Sequence, residues 1–149
     1  MRRHWPDARQ VLGDIRELDP ADFERPDVLV GGPPCQDLSV AGSRQGITGS
    51  KSSLYFEFVR FLEVLRPRFV VIENVPALLY QHRGLVAGDL HRLGYSSTFV
   101  KIAAADVGAP HLRRRVFVIG ELGATGSRVV EAQPVNRATL WPTPLKADA

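Results

Sequence analysis

The single thiol of the sequence, Cys35, stands directly after Gly31-Gly32-Pro33-Pro34, and an apolar run over Asp27–Val30 leads into that turn. A position just past the carboxyl end of a parallel strand is where an α/β enzyme presents a nucleophile. The two prolines restrict the backbone and would hold the thiol in place. The competing reading is a small buried apolar residue, the usual state of a lone cysteine. A second apolar run, Phe69–Ile72, delivers Glu73 and Asn74 at its end. A carboxyl group partly withdrawn from water can hold a proton near neutrality and donate it. Alternatively, Glu73 and Asn74 cap a short helix opening at Pro76. Arg113, Arg114 and Arg115 precede a third run, Val116–Ile119. Alternation along an extended chain puts Arg113 and Arg115 on one side, which suits an anionic or carbonyl-bearing ligand, against the alternative of a solvated basic loop. Asp14 ends a short extended run, Gln10–Ile15. Its carboxylate can accept hydrogen bonds from the amino or hydroxyl groups of a nucleoside, or serve only as a turn aspartate.

The elements that must position these residues alternate in period. Leu54, Phe58, Phe61, Leu62 and Leu65 recur at helical spacing, and Pro67 stops that helix. Gly84 to Leu93 reads as an amphipathic helix closed by Gly94. Ser96 to Ile102 alternates like a half-exposed strand. Strands apolar on both faces, separated by helices, predict an α/β fold with a doubly wound, mostly parallel sheet whose later strands pair antiparallel. After Glu121 the periodicity fails, so residues 1–121 are expected to form the domain and 122–149 a linker or the start of another region.

The chain has 149 residues, 44% apolar and 23% charged, which fits one globular domain or part of a larger one. No apolar stretch approaches the roughly 20 residues that span a bilayer. One cysteine excludes an internal disulfide, and four scattered histidines give no zinc-like spacing. A cytoplasmic setting and no metal are expected. The net charge is +3, and 16 of the 19 basic residues are arginine, which permits a nucleic-acid partner without requiring one.

Pro33-Pro34-Cys35-Gln36, then Glu73-Asn74-Val75, then Pro110-His111-Leu112-Arg113-Arg114-Arg115-Val116, in that order, resemble the core of the DNA cytosine-5 methyltransferases. Leu12-Gly13-Asp14-Ile15 and Ser53-Leu54 extend the resemblance, which covers positions 10 to 120. It implies a Rossmann-like fold of the kind that binds S-adenosyl-L-methionine, here incomplete, and double-stranded DNA as partner with its target cytosine flipped out. By resemblance, Cys35 adds to cytosine C6, Glu73 hydrogen-bonds or protonates N3, Asn74 holds loop and base, and Arg113 and Arg115 stabilise O2. Asp14, Ile15, Pro33 and Leu54 then belong to the cofactor site, and Gln36, Ser39 and Arg44 face the DNA.

Some of the family pattern is absent. His111 stands where the family has glutamine. The Phe-x-Gly-x-Gly loop that opens the family, the acidic residue after its second strand, and the late asparagine and glycine motifs are not in the sequence. The chain is therefore expected to hold the chemical centre of a bacterial- or phage-type enzyme truncated at both ends. Little activity is expected of it alone, and a complementary polypeptide would supply the missing motifs. Two alternatives stand beside this: a degenerate or split-enzyme subunit without catalysis, and an enzyme that adds a thiol to C6 of a pyrimidine nucleotide.

Overall fold

The computed structural model describes residues 7–34 and 54–131. Within them, strand β1 (Val28–Gly31) is followed by helix α1 (Leu54–Leu65), strand β2 (Phe69–Asn74), the short helix α2 (Ala77–Gln81) and helix α3 (Arg83–Arg92). Strands β3 (Ser97–Ala103), β4 (Arg114–Glu121) and β5 (Ser127–Glu131) complete a five-stranded sheet in the order β1-β2-β4-β3-β5.

The helices form where apolar periodicity predicts them. On α1, Tyr55, Phe58, Val59, Leu62 and Leu65 recur at helical spacing and are buried. The helix closes at Arg66, whose φ of 48° is left-handed and whose N–H donates to Leu62 O at 3.1 Å, one residue before Pro67. On α3 the buried stripe is Val86 and Leu90. Its end is a Schellman turn, with Gly94 at φ 80° and the Tyr95 N–H donating to Leu90 O at 2.9 Å. The Tyr55 hydroxyl donates to Asp89 Oδ2 at 3.0 Å and so ties α1 to α3.

One face of the sheet packs on these helices. Val70 and Ile72 of β2, Val116 and Val118 of β4 and Phe99 of β3 join Tyr55, Phe58, Leu62, Leu78, Val86 and Leu90 in a single core. Each such side chain removed from water contributes about 1.5–3 kcal/mol. The other face carries Val28, Val30, Phe69, Val71, Phe117, Ile119 and Val100, aligned by register across four strands. It is open among the described residues: Val30 is 67% exposed and Ile119 39%.

Four expectations change. The sheet is mixed rather than mostly parallel, because β4 lies between β2 and β3 and runs antiparallel to both, leaving only β1–β2 and β3–β5 parallel. β1 is parallel to β2, as expected, but it is an edge strand with one open face, not a strand buried on both sides. Gln10–Ile15 forms no strand. It is irregular backbone leading into a turn in which the Glu17 N–H donates to Asp14 O at 3.0 Å. Beyond Glu121, the stretch read as linker contributes β5, which pairs with β3 from Ser97↔Ser127 to Lys101↔Glu131.

Candidate functional site

β1 and β2 run side by side in register, with Val30 opposite Val71 and Gly31 opposite Ile72, so Gly32 and Glu73 emerge at the same edge. β4 starts at that edge because it runs the other way. Asn74 pairs with Val116 and Glu73 with Phe117, which puts Arg115 two residues along from Phe117 on the same face as Glu73. The consequence is an ion pair, Arg115 Nε to Glu73 Oε1 at 2.6 Å. Glu73 does not cap α2, whose start at Pro76 has no side-chain cap. Nor is its carboxyl withdrawn from water as the sequence suggested. It is 41% exposed and held by Arg115.

Asn74 points to the opposite, buried face and is 5% exposed. Its Nδ2 donates to Pro33 O at 2.9 Å and its Oδ1 accepts the Val75 N–H at 2.8 Å. The amide thus fastens the end of β2 to the turn that leads into Cys35. Replacing Asn74 with alanine strands the Pro33 carbonyl and the Val75 N–H, and should cost about 1–3 kcal/mol. Urea denaturation reads this as a lower midpoint at unchanged slope, and an unaltered midpoint would show that water takes over both bonds.

Gly32 lets the two strands' ends approach. A Cβ on Gly32 would lie 3.3 Å from Glu73 Oε2, tighter than ordinary contact. On the helix side of β1, a Cβ on Gly31 would lie 2.5 Å from the Phe58 ring, so the bare backbone is what seats that ring. Beside it is a cavity of about 270 Å³ whose walls are Ile15, Leu29, Pro33, Leu54, Phe58 and Phe61, with Gly31 and Gly32 at its rim.

Of the residues assigned to the cofactor, the structure therefore brings Ile15, Pro33 and Leu54 to one cavity. Asp14 is not among its walls. Its carboxylate takes the Arg16 guanidinium and, at Oδ1, the Arg16 backbone N–H at 2.9 Å. Those hydrogen bonds, chiefly the guanidinium's, hold its pKa down to about 2, so Asp14 is an acceptor throughout the neutral range. Arg113 does not join Arg115. It is exposed, and its backbone N–H donates to His111 Nδ1 at 3.4 Å. Cys35, Gln36, Ser39 and Arg44 lie outside the described residues.

The sequence reading took Phe58 and Phe61 as core spacing only and gave Arg60 no part. A signal for Arg60 was there: Glu57 and Arg60, spaced i,i+3, are the only charged residues in the first eight positions of an otherwise apolar helix.

Residues 2–141 match the family described as C-5 cytosine-specific DNA methylase. The type II methyltransferase M.NgoPII of Neisseria gonorrhoeae is 38% identical over 124 residues, which is 80% of this chain and 36% of that protein. M.DdeI of Desulfomicrobium norvegicum is 32% identical over 148 residues, 92% of this chain and 34% of that protein. Among solved structures, a Spodoptera frugiperda DNMT2 mutant superposes with a TM-score of 0.69 at 17% identity, over 91% of this chain and 44% of that one. A putative DNA modification methyltransferase encoded within an E. coli prophage does so with a TM-score of 0.57 at 29% identity, over 79% and 35%.

The fold is thus that of the Rossmann-like methyltransferases, present here in part. Within that class, the chain belongs to the C-5 cytosine-specific DNA methylases. It spans about a third of the length of the two curated relatives.

Proposed function

We propose that this segment carries the chemical centre of a DNA cytosine-5 methyltransferase. The observation that carries the reading is the Glu73–Arg115 pair at the end of β2, against the backbone of Gly32, with the neighbouring Asn74 bonded to Pro33 O in the turn that leads to Cys35. S-adenosyl-L-methionine, when bound, supplies an electrophilic methyl group. The apolar cavity suits its adenosine part; at about 270 Å³ it is slightly below the roughly 300 Å³ at which whole-ligand pockets begin. Ile15, Leu54 and Pro33 would hold it, with Asp14 as a hydrogen-bond acceptor.

Cys35 forms a bond from sulfur to C6 of the cytosine, and the displaced electron pair makes C5 nucleophilic. Glu73 hydrogen-bonds or protonates N3, Arg115 orients Glu73 and stabilises O2, and Asn74 keeps the cysteine turn against β2. Loss of the C5 proton and of the C6–sulfur bond restores the ring. Such chemistry requires the base outside the duplex, with Gln36, Ser39 and Arg44 on the DNA side. The open apolar face of the sheet supports one further part of the reading, a complementary stretch of polypeptide that covers it. The setting is cytoplasmic.

The test is covalent trapping. The segment, completed with the flanking portions of M.NgoPII, is incubated with S-adenosylmethionine and either DNA containing 5-fluorocytosine or 5-fluoro-dUMP. The DNA should become attached at Cys35. Attachment of the nucleotide instead, or of neither, overturns the reading.

A further inference from the structure

The backbone around Ile15 belongs to no strand and no helix, yet Ile15 lines the cavity together with Phe58 and Phe61 of α1. What holds it there comes from the same helix. Arg60 Nη2 donates to two main-chain carbonyls, Ile15 O at 3.0 Å and Leu18 O at 2.9 Å, more than forty residues away in sequence. Its Nε donates to Glu57 Oε2 at 2.8 Å, and Glu57 is only 12% exposed, so the guanidinium is aimed from one side and anchored on the other. Its cationic carbon also lies 5.1 Å from the Phe61 ring centroid.

The planar, always-charged guanidinium is the side chain suited to several fixed hydrogen bonds at once. Here it bridges a surface turn to a helix whose nearby residues, Phe58 and Phe61, line the same cavity as Ile15. Without it, the Asp14–Leu18 turn keeps, among the described residues, its local bonds, Glu17 N–H to Asp14 O and the Asp14–Arg16 pair. Those bonds fix the shape of the turn. Further along, Pro20–Asp22 packs on α1 and Phe23 meets Phe61 edge-on at 5.7 Å, so that end of the segment is held by packing, while the carbonyls of Ile15 and Leu18 are held to α1 by Arg60.

We infer that Arg60, oriented by Glu57, is a positioning residue for the cofactor: it sets the width of the cavity by holding the Ile15 backbone against α1. The inference rests on the reading of that cavity as the adenosine site. Arg60 touches no ligand in this role, and it acts through Ile15.

The experiment uses the segment completed with the flanking portions of M.NgoPII, and S-adenosylhomocysteine as probe, followed by the NMR signals of Ile15, Leu54 and Phe58. Arg60→Met keeps the apolar stem and removes the donors. It should weaken binding by about tenfold or more, the size expected for lost charge-assisted hydrogen bonds. It should also speed hydrogen exchange at the Glu17 amide while leaving the Leu62 and Val70 amides as protected as before. Arg60→Lys should recover part of the affinity, since an ammonium can still donate to both carbonyls. Glu57→Gln, which leaves those bonds in place and loosens only the aim, should give a smaller loss and serves if Arg60→Met does not fold. If the unaltered chain shows no response at Ile15, Leu54 and Phe58, the adenosine reading of the cavity fails and the inference with it. If it responds and Arg60→Met binds equally well, the cavity reading stands and Arg60 is a structural clamp alone.

Discussion

Changing Cys35 to serine should abolish methyl transfer, and changing Glu73 to glutamine should slow it by about 10²–10⁴, the usual contribution of a positioned acid–base group. Both are measured with tritiated S-adenosylmethionine on the segment completed by the flanking portions of a relative. The reasons differ. Serine's hydroxyl is not ionised near neutrality and makes a far weaker nucleophile towards C6 than a thiolate. Glutamine keeps the shape of Glu73 and can still hydrogen-bond, but its amide cannot take up a proton and hand it to N3 in the addition step. It also loses the charge that meets Arg115 Nε at 2.6 Å, so the guanidinium is less firmly held. DNA affinity should change little for Glu73→Gln, because the proposed role lies in the reaction and not in docking. An unchanged rate for Glu73→Gln, or turnover by Cys35→Ser, would remove those residues from the mechanism.

Gly31→Val is expected to damage both stability and binding. The new Cβ would sit 2.5–2.6 Å from Phe58 ring carbons, and Phe58 is a buried core residue of α1. Overpacking of this kind typically costs about 1–3 kcal/mol. A ring displaced from β1 has the adjacent cavity as its nearest free space, so S-adenosylhomocysteine affinity should be lost with the stability. Urea denaturation and ligand titration give the two readings separately. A variant with an unchanged unfolding midpoint would mean that α1 can step back from β1 without cost. One that is destabilised but still binds would place the adenosine part elsewhere.

Much of this was legible in the residues. α1, β2 and α3 follow from apolar period and from their stops at Pro67 and Gly94, because burial against one core face dictates both. Ile15, Pro33 and Leu54 were assigned to one ligand by resemblance, and they line one cavity. What could not be read was set by partners distant in sequence. The alternation of Gln10–Ile15 suggests a strand, but no ladder takes it up, and the turn is held instead by Asp14–Arg16 and by a guanidinium from α1. Ser127–Glu131 is a strand only because the edge of β3 offers it unpaired main-chain groups. Arg113 and Arg115 alternate onto one side in an ideal extended chain. β4, however, begins at Arg114, so only Arg115 is carried onto the face of Glu73, two residues along from its register partner Phe117.

The direction of β5 decides at which edge of the sheet the chain continues. Running parallel to β3, it hands the chain on at Glu131, at the same edge of the sheet where β2 presents Glu73 and β4 presents Arg115. Three strand spacings separate β5 from β2, about 14 Å at 4.7–4.9 Å each. Had β5 run the other way, whatever follows it would begin on the far side of the domain and need the length of a strand to return. As built, whatever follows β5 starts at the edge of the sheet that carries Glu73 and Arg115, and its size can vary without disturbing the strands that hold that pair.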